Sequence, residues 1–189
     1  MNPLLFLKEG TRALHDRVER RIDLRSCLQS KDQYVLLLHT LYGFYERSEC
    51  ALDAALRSIV CPFAFLRKSP LIANDLSILG SGQPAVECHR VPQIDSLEEA
   101  FGVLYVLEGS TLGGQFISRQ VQRELGFSPQ AGCSFFWGYG EQTATNWRTF
   151  CEVVARHATT ARSRQRMLLT ARETFRCLDH CLELRGYGV

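Results

Sequence analysis

Apolar residues recur along this chain with a period of three to four, and polar residues fill the positions between them. That rhythm predicts helix after helix. Asn2 is a good N-cap and Pro3 suits the first helical position, so a helix is expected over roughly 3–22. "SKDQ" (Ser30–Gln33) is a capping box before a long helical pattern that runs to about Val60, where Cys61-Pro62 breaks it. Ser69-Pro70 opens a short helix that Gly80 closes. "SLEE" (Ser96–Glu99) is a second capping box, and Gly126 is the matching stop thirty residues on. "GFSPQAGCSFFWGYGEQ" is a loop by its Gly, Pro and Ser content. Two further helices are expected over about 143–160 and 163–185. No strand-like alternation persists, and there is no repeat, low-complexity tract or linker. The expected architecture is one all-α domain over residues 1–189.

Composition narrows the function classes. Hydrophobic residues make up 46% and charged residues 22%, ordinary for a globular chain. A net charge of +2 gives no argument for nucleic acid or an anionic membrane as partner. No apolar run approaches the ~18 residues of a membrane span, and "MNPLLFLKEG" lacks the basic start and the length of a secretory signal. The eight cysteines (27, 50, 61, 88, 133, 151, 177 and 181) are scattered without a CxxC pair. They read as free thiols in a reducing cytoplasm.

The first helix carries a polar constellation. In "LKEGTRALHDRVERRI", Lys8 lies seven residues before His15 and Glu19 four after it. At 100° per residue these fall within about 20° and about 40° of His15, so all three share a face. Glu19 is one turn from the imidazole, the place for a carboxylate that orients a metal-bound histidine. A solvated face with a chance His–Glu pair has the same spacing. The other histidines offer less. His39, in "VLLLHTLYGF", reads as a satisfied core histidine, His89 as a loop residue, and His157 and His180 as helical residues without an acidic partner on a matching apolar face.

The most informative stretch is "FGVLYVLEGSTLGGQFISRQV", Phe101–Val121. Its flanks are apolar and helical, yet it contains Gly109, Gly113 and Gly114. Three helical glycines cost on the order of 2–3 kcal/mol against alanine. A bare helix face admits either a second helix or a flat ligand close to the backbone, and glycines also permit a kink.

"LEGSTLGGQ" resembles the distal-helix motif of heme oxygenases, especially the bacterial proteins associated with bacteriophytochromes. "LKEGTRALH" with Glu19 is similar to the proximal-helix motif of the same family. The two stand in the family's order about ninety residues apart. The resemblance implies a heme-oxygenase-like fold, with heme held between a proximal helix and a kinked, glycine-rich distal helix. It implies His15 as axial ligand to heme iron, Glu19 as its hydrogen-bond partner, and Gly109, Gly113 and Gly114 over the opposite heme face. It further implies Lys8, Arg148 of "TNWRTF" and Arg119 as partners for the heme carboxylates, and Tyr105 as an aromatic neighbour of the heme. Animal members carry an aspartate after the first distal glycine; here that position is Ser110, which leaves the residues ordering distal water undefined.

The activity implied is oxidative cleavage of heme to biliverdin, carbon monoxide and ferrous iron. It needs O2 and an external reductant such as a ferredoxin or a reductase, with a bacteriophytochrome as biliverdin acceptor. Two alternatives use the same fold. One is a heme carrier or sensor that keeps the heme intact. The other is a non-heme di-iron protein, for which Glu46, Glu49, Glu108 and His39 are a sparse ligand set. Cys61-Pro62 reads as a helix end before proline. "CLDHC" (Cys177, His180, Cys181) lacks a second ligand pair at zinc-like spacing and reads as structural.

Overall fold

The computed structural model describes residues 2–82 and 90–187. Helix α1 spans Pro3–Arg21, with the Asn2 side chain accepting from the Leu4 and Leu5 amides at 2.9 and 3.3 Å. A single turn, α2 (Leu24–Cys27), follows under an Asp23 cap. Helix α3 spans Lys31–Ala55 and starts from the Ser30 cap. It stops five residues short of Val60, because the Ser58 and Ile59 amides both turn back to the Ala55 carbonyl. Helix α4 spans Ser69–Ile78, and Gly80 beyond it takes φ +71°.

Helix α5 spans Leu97–Leu125 and stays helical through all three glycines. Ser96 accepts from the Glu99 amide at 3.4 Å, but the Glu99 carboxylate passes over Ser96 and accepts from the Asp95 amide at 2.7 Å. Gly126, at φ +73°, ends the helix as its left-handed stop. The stretch expected as plain loop contains a turn of helix, α6 (Ser134–Trp137), and a 3-10 turn at Gly140–Gln142. Asp75 of α4 makes α6 possible: its carboxylate accepts from the Ser134 and Phe135 amides, each at 2.8 Å. A cap supplied by a distant residue leaves no local sequence signal. Helices α7 (Thr143–His157) and α8 (Ala161–Leu184) complete the chain, α8 opening on a reciprocal Thr160–Ser163 capping box. Among the described residues there is no strand, only isolated bridges at Ser128.

Helix α8 is the partition on which the others are arranged. Both α1 and α5 pack against it. Gly10 and Gly102 mark the two contacts. A Cβ on Gly10 would lie 2.5 Å from Leu168, and one on Gly102 would lie 2.6 Å from the Met167 carbonyl oxygen. The Met167–Ala171 turn therefore sits between α1 and α5 and sets their separation. Around it the buried Leu7, Phe101, Leu104, Phe150 and Met167 form one continuous core.

The thiol expectation fails at Cys181, which is disulfide-bonded. Pairing depends on Cβ atoms meeting in the fold, which scatter along the sequence does not report. The cysteine argument for a reducing compartment falls with it, and so does any metal role for the Cys177/His180/Cys181 group. Cys27, Cys50, Cys61, Cys133, Cys151 and Cys177 form no disulfide; Cys88 and His89 lie outside the described residues.

Candidate active site

On α1, His15 is half-exposed. Its Nδ1 lies 3.5 Å from Glu19 Oε2 and 3.8 Å from Asp16 Oδ1. The helical spacing brought Glu19 here; Asp16 was not anticipated, because a residue one step along a helix points about 100° away and reaches back only through its side chain. From α8, Phe175 supports the ring edge-on, with centroids 5.9 Å apart. Lys8 is exposed on the same face of α1. Among the described residues no hydrogen bond or ion pair engages the side chains of Lys8, Arg119 or Arg148, and all three are exposed.

The other histidines are otherwise occupied. Half-buried His39 bonds Ser81 Oγ at 2.8 Å. His157 Nδ1 lies 2.8 Å from the Val153 carbonyl, with its ring against Phe101. His180 does have an acidic neighbour, Glu183 at 3.9 Å, on an exposed face.

On α5 the three glycines divide. A Cβ on Gly113 would meet nothing within 4 Å. Beside it, Leu112 and Phe116 are 45% and 55% exposed, an uncovered apolar patch. A Cβ on Gly109 would rest in ordinary contact with the Trp147 ring, at 3.6 Å. Gly114 points the other way: its Cβ would lie 2.7 Å from the Phe136 carbonyl oxygen of α6. The sequence reading grouped Gly114 with the bare face, but the structure makes it a packing contact. One residue turns a helix by about 100°, and that step carries Gly114 from the open side round to α6.

Tyr105, one turn before Gly109, is half-buried against Trp147, with centroids 6.0 Å apart. Its hydroxyl meets Thr11 of α1, and burial pushes the phenol pKa up. It thus joins the helix of His15 to the helix of Gly109. Trp147 stands beside Arg148 in "TNWRTF" and was missed; an apolar ring in an amphipathic helix carries no signal of its own.

Ser110 has a partner that the sequence did not suggest. Its hydroxyl donates to the Leu107 carbonyl at 2.7 Å, leaving its oxygen to accept from Tyr45 Oη at 2.7 Å. Tyr45 is buried, and that burial raises its pKa, opposed by the Ser110 hydrogen bond. A pair sixty-five residues apart is visible only once α3 and α5 are packed.

The di-iron alternative fails on this geometry. Glu49 accepts from the Lys68 amide and from Ser69, and Glu108 accepts from Lys68 Nζ at 2.7 Å. Among the described residues, the cluster with metal-ligand proximity is His15, Asp16 and Glu19.

A half-exposed histidine backed by carboxylates and an uncovered glycine helix face thus stand on two helices of one all-α protein. Solved heme oxygenases have this fold. The Neisseria meningitidis enzyme, crystallised with NO and CO bound, superposes with a TM-score of 0.83 over 98% of this chain and 92% of its own, at 24% identity. Heme oxygenase from Leptospira interrogans gives 0.77 over 97% and 100%, at 20% identity. Heme oxygenase 2 from Chlamydomonas reinhardtii, solved without heme, gives 0.81 over the whole of both chains, at 16% identity. A curated heme oxygenase of Xanthomonas campestris pv. campestris (strain 8004) is 30% identical over 119 residues, 62% of this chain and 68% of the relative. The heme oxygenase family profile matches residues 4–183, and the chain belongs to that family. It is an enzyme that uses O2 to degrade heme to biliverdin. Among the described residues no helix is long and apolar enough to cross a membrane.

Proposed function

We propose that His15 is the axial ligand to the heme iron and that the open face of α5 at Gly113 covers the opposite side of the substrate. The observation that carries this is the exposed His15–Glu19 pair on α1 with the uncovered Gly113–Leu112–Phe116 surface on α5. Carboxylates lie at Nδ1, so the tautomer they favour carries its proton there and leaves Nε2 for iron. Heme is the substrate and also supplies the iron at which oxygen is activated. An imidazole with a carboxylate neighbour donates less electron density than a thiolate, which favours O–O cleavage; the weaker push suits oxygen attack on the porphyrin.

The chain's own residues do the rest. Lys8 and Arg148 carry charges without side-chain partners among the described residues and pair with the heme carboxylates, with Arg119 at the flank. Leu112 and Phe116 give the ring an apolar bed. The absence of a side chain at Gly113 brings backbone, rather than a bulky group, against the oxygen side. Ser110, fixed by Tyr45, replaces the aspartate of other members as the polar group that orders distal water. Electrons come from an external reductant, such as a ferredoxin or a reductase. The resemblance to bacteriophytochrome-associated members supports a bacteriophytochrome as biliverdin acceptor.

The test is aerobic incubation of the hemin complex with ascorbate, followed by pigment identification, for wild type and His15→Ala. Biliverdin from the wild type and its loss in the variant, with recovery on added imidazole, are expected. Normal turnover in His15→Ala overturns the ligand assignment.

A further inference from the structure

Immediately before Gly109 stands Glu108, buried to 1% exposure on a helix that the proposed reaction uses for its backbone. Its carboxylate accepts from Lys68 Nζ at 2.7 Å, and Lys68 is itself only 2% exposed. The Tyr139 hydroxyl bonds the same carboxylate and accepts the Leu66 amide at 2.8 Å. The Lys68 ammonium also lies 5.8 Å from the centroid of the Tyr139 ring. Behind Lys68, the fully buried Glu49 takes the Lys68 amide at 2.6 Å and the Ser69 hydroxyl at 2.6 Å. Among the described residues, no buried side-chain polar atom of this cluster lacks a partner. Its content is mechanical.

Three segments meet at Glu108. One is α5 itself. The second is the segment leading into α4, which carries Leu66 and Lys68. The third is the turn at Tyr139, after which α7 begins at Thr143. Helix α7 carries Trp147, the ring against Gly109, and Arg148. A buried ion pair contributes little net stability, because desolvating both charges offsets their attraction; apolar replacements of similar volume are often as stable. What such a pair does supply is direction, since its geometry is satisfied in one arrangement. The α5 backbone just here needs direction. The Ser110 and Thr111 hydroxyls bond back to the Leu107 and Glu108 carbonyls at 2.7 and 2.6 Å, competing with the helix's own amides beside a glycine.

We infer that Glu108, Lys68 and Tyr139 are positioning residues that fix the register of α5 at Gly109 against α7 at Trp147, and so set where the distal backbone stands over the heme. The second half rests on the proposed distal role of Gly109 and Gly113. None of the three touches the substrate.

The experiment uses the full chain carrying Lys68→Met with Glu108→Leu, which removes both charges of the pair together. In the heme-free protein, amide hydrogen exchange over residues 109–112 is expected to quicken at least tenfold while the thermal midpoint is retained. In the hemin complex, KM for hemin is expected to hold, kcat to fall severalfold, and the mixture of biliverdin isomers to broaden. Wild-type exchange at 109–112 overturns the inference. Faster exchange with unchanged kcat and isomer ratio keeps the register effect and overturns the distal reading of Gly109 instead. Should the double variant fail to fold, Tyr139→Phe removes one hydroxyl and is read by the same two measurements. In Lys68→Arg, which keeps the charge, exchange is expected to stay near wild type.

Discussion

Gly113 and Gly114 are sequence neighbours with opposite surroundings: a side chain on Gly113 would enter open space, whereas one on Gly114 would strike the Phe136 carbonyl oxygen at 2.7 Å. The pair therefore separates two reasons for glycine in a buried helix. Gly113→Ala is expected to stabilise the heme-free protein by about 1 kcal/mol, the helix-propensity gain, and to slow biliverdin formation because the methyl enters the substrate's space. Gly114→Ala is expected to destabilise it by about 1–3 kcal/mol, because backbone cannot yield as a side chain can. Thermal or urea unfolding of the two heme-free variants, with ascorbate-driven turnover of both, checks the signs. A Gly113→Ala protein that is less stable and fully active would return this position to helix packing.

Glu19→Gln keeps shape and removes charge. The 3.5 Å separation from His15 Nδ1 is loose, and Asp16 stands nearby as a second carboxylate. The variant is expected to bind hemin and to shift the iron–histidine stretch in the ferrous state, with reduced turnover. Asp16→Asn is expected to shift it less, and the double variant more than either. Resonance Raman spectra of the three variants decide this; an unshifted band in Glu19→Gln means that the carboxylate does not act on the ligand.

What the sequence made legible was whatever repeats locally. The Asn2 and Ser30 caps, the Gly126 stop and the shared face of Lys8, His15 and Glu19 are all written within a few residues, and the structure has them. The contacts that complete the site are not written that way. Tyr45 meets Ser110 across sixty-five positions, Trp147 reaches Gly109 across thirty-eight, and Asp75 caps a helix that begins at Ser134. Each depends on which helices pack together, α3 on α5, α7 on α5 and α4 on α6, which no local pattern reports. Gly114 parts from Gly113 for a related reason: adjacency along the chain does not fix what each position packs against.

Lys8, Arg119 and Arg148 have exposed charges that nothing in the described fold engages, so removing them should cost the heme-free protein almost nothing. Lys8→Ala and Arg148→Ala are each expected to weaken hemin binding roughly tenfold, about 1.4 kcal/mol for one charge-assisted contact. Arg119 lies about 80° round α5 from Gly109, toward the edge of the open face, and Arg119→Ala is expected to have the smallest effect. Hemin titrations at low and high salt test this, since contacts at a solvent-exposed edge weaken as screening rises. Unchanged affinity in Lys8→Ala would remove it from the site.

The Tyr45–Ser110 bond is asymmetric in burial, and the asymmetry predicts which side is expensive to cut. Tyr45 is buried, whereas Ser110 is exposed to solvent. In Tyr45→Phe the freed Ser110 oxygen can turn to water, so the stability loss should stay below about 1 kcal/mol. In Ser110→Ala the phenol O–H is left buried without an acceptor, which costs about 1–3 kcal/mol. The double variant should recover part of that loss, because no polar group is then stranded. Function should follow a different order. If the hydroxyl pair orders distal water, Tyr45→Phe slows biliverdin formation despite near-native stability, and Ser110→Asp, which restores the carboxylate of other members, retains it. Unfolding curves and single-turnover pigment yields for the four proteins separate the two effects. Wild-type yield from Tyr45→Phe would show that the bond serves only to hold α3 against α5.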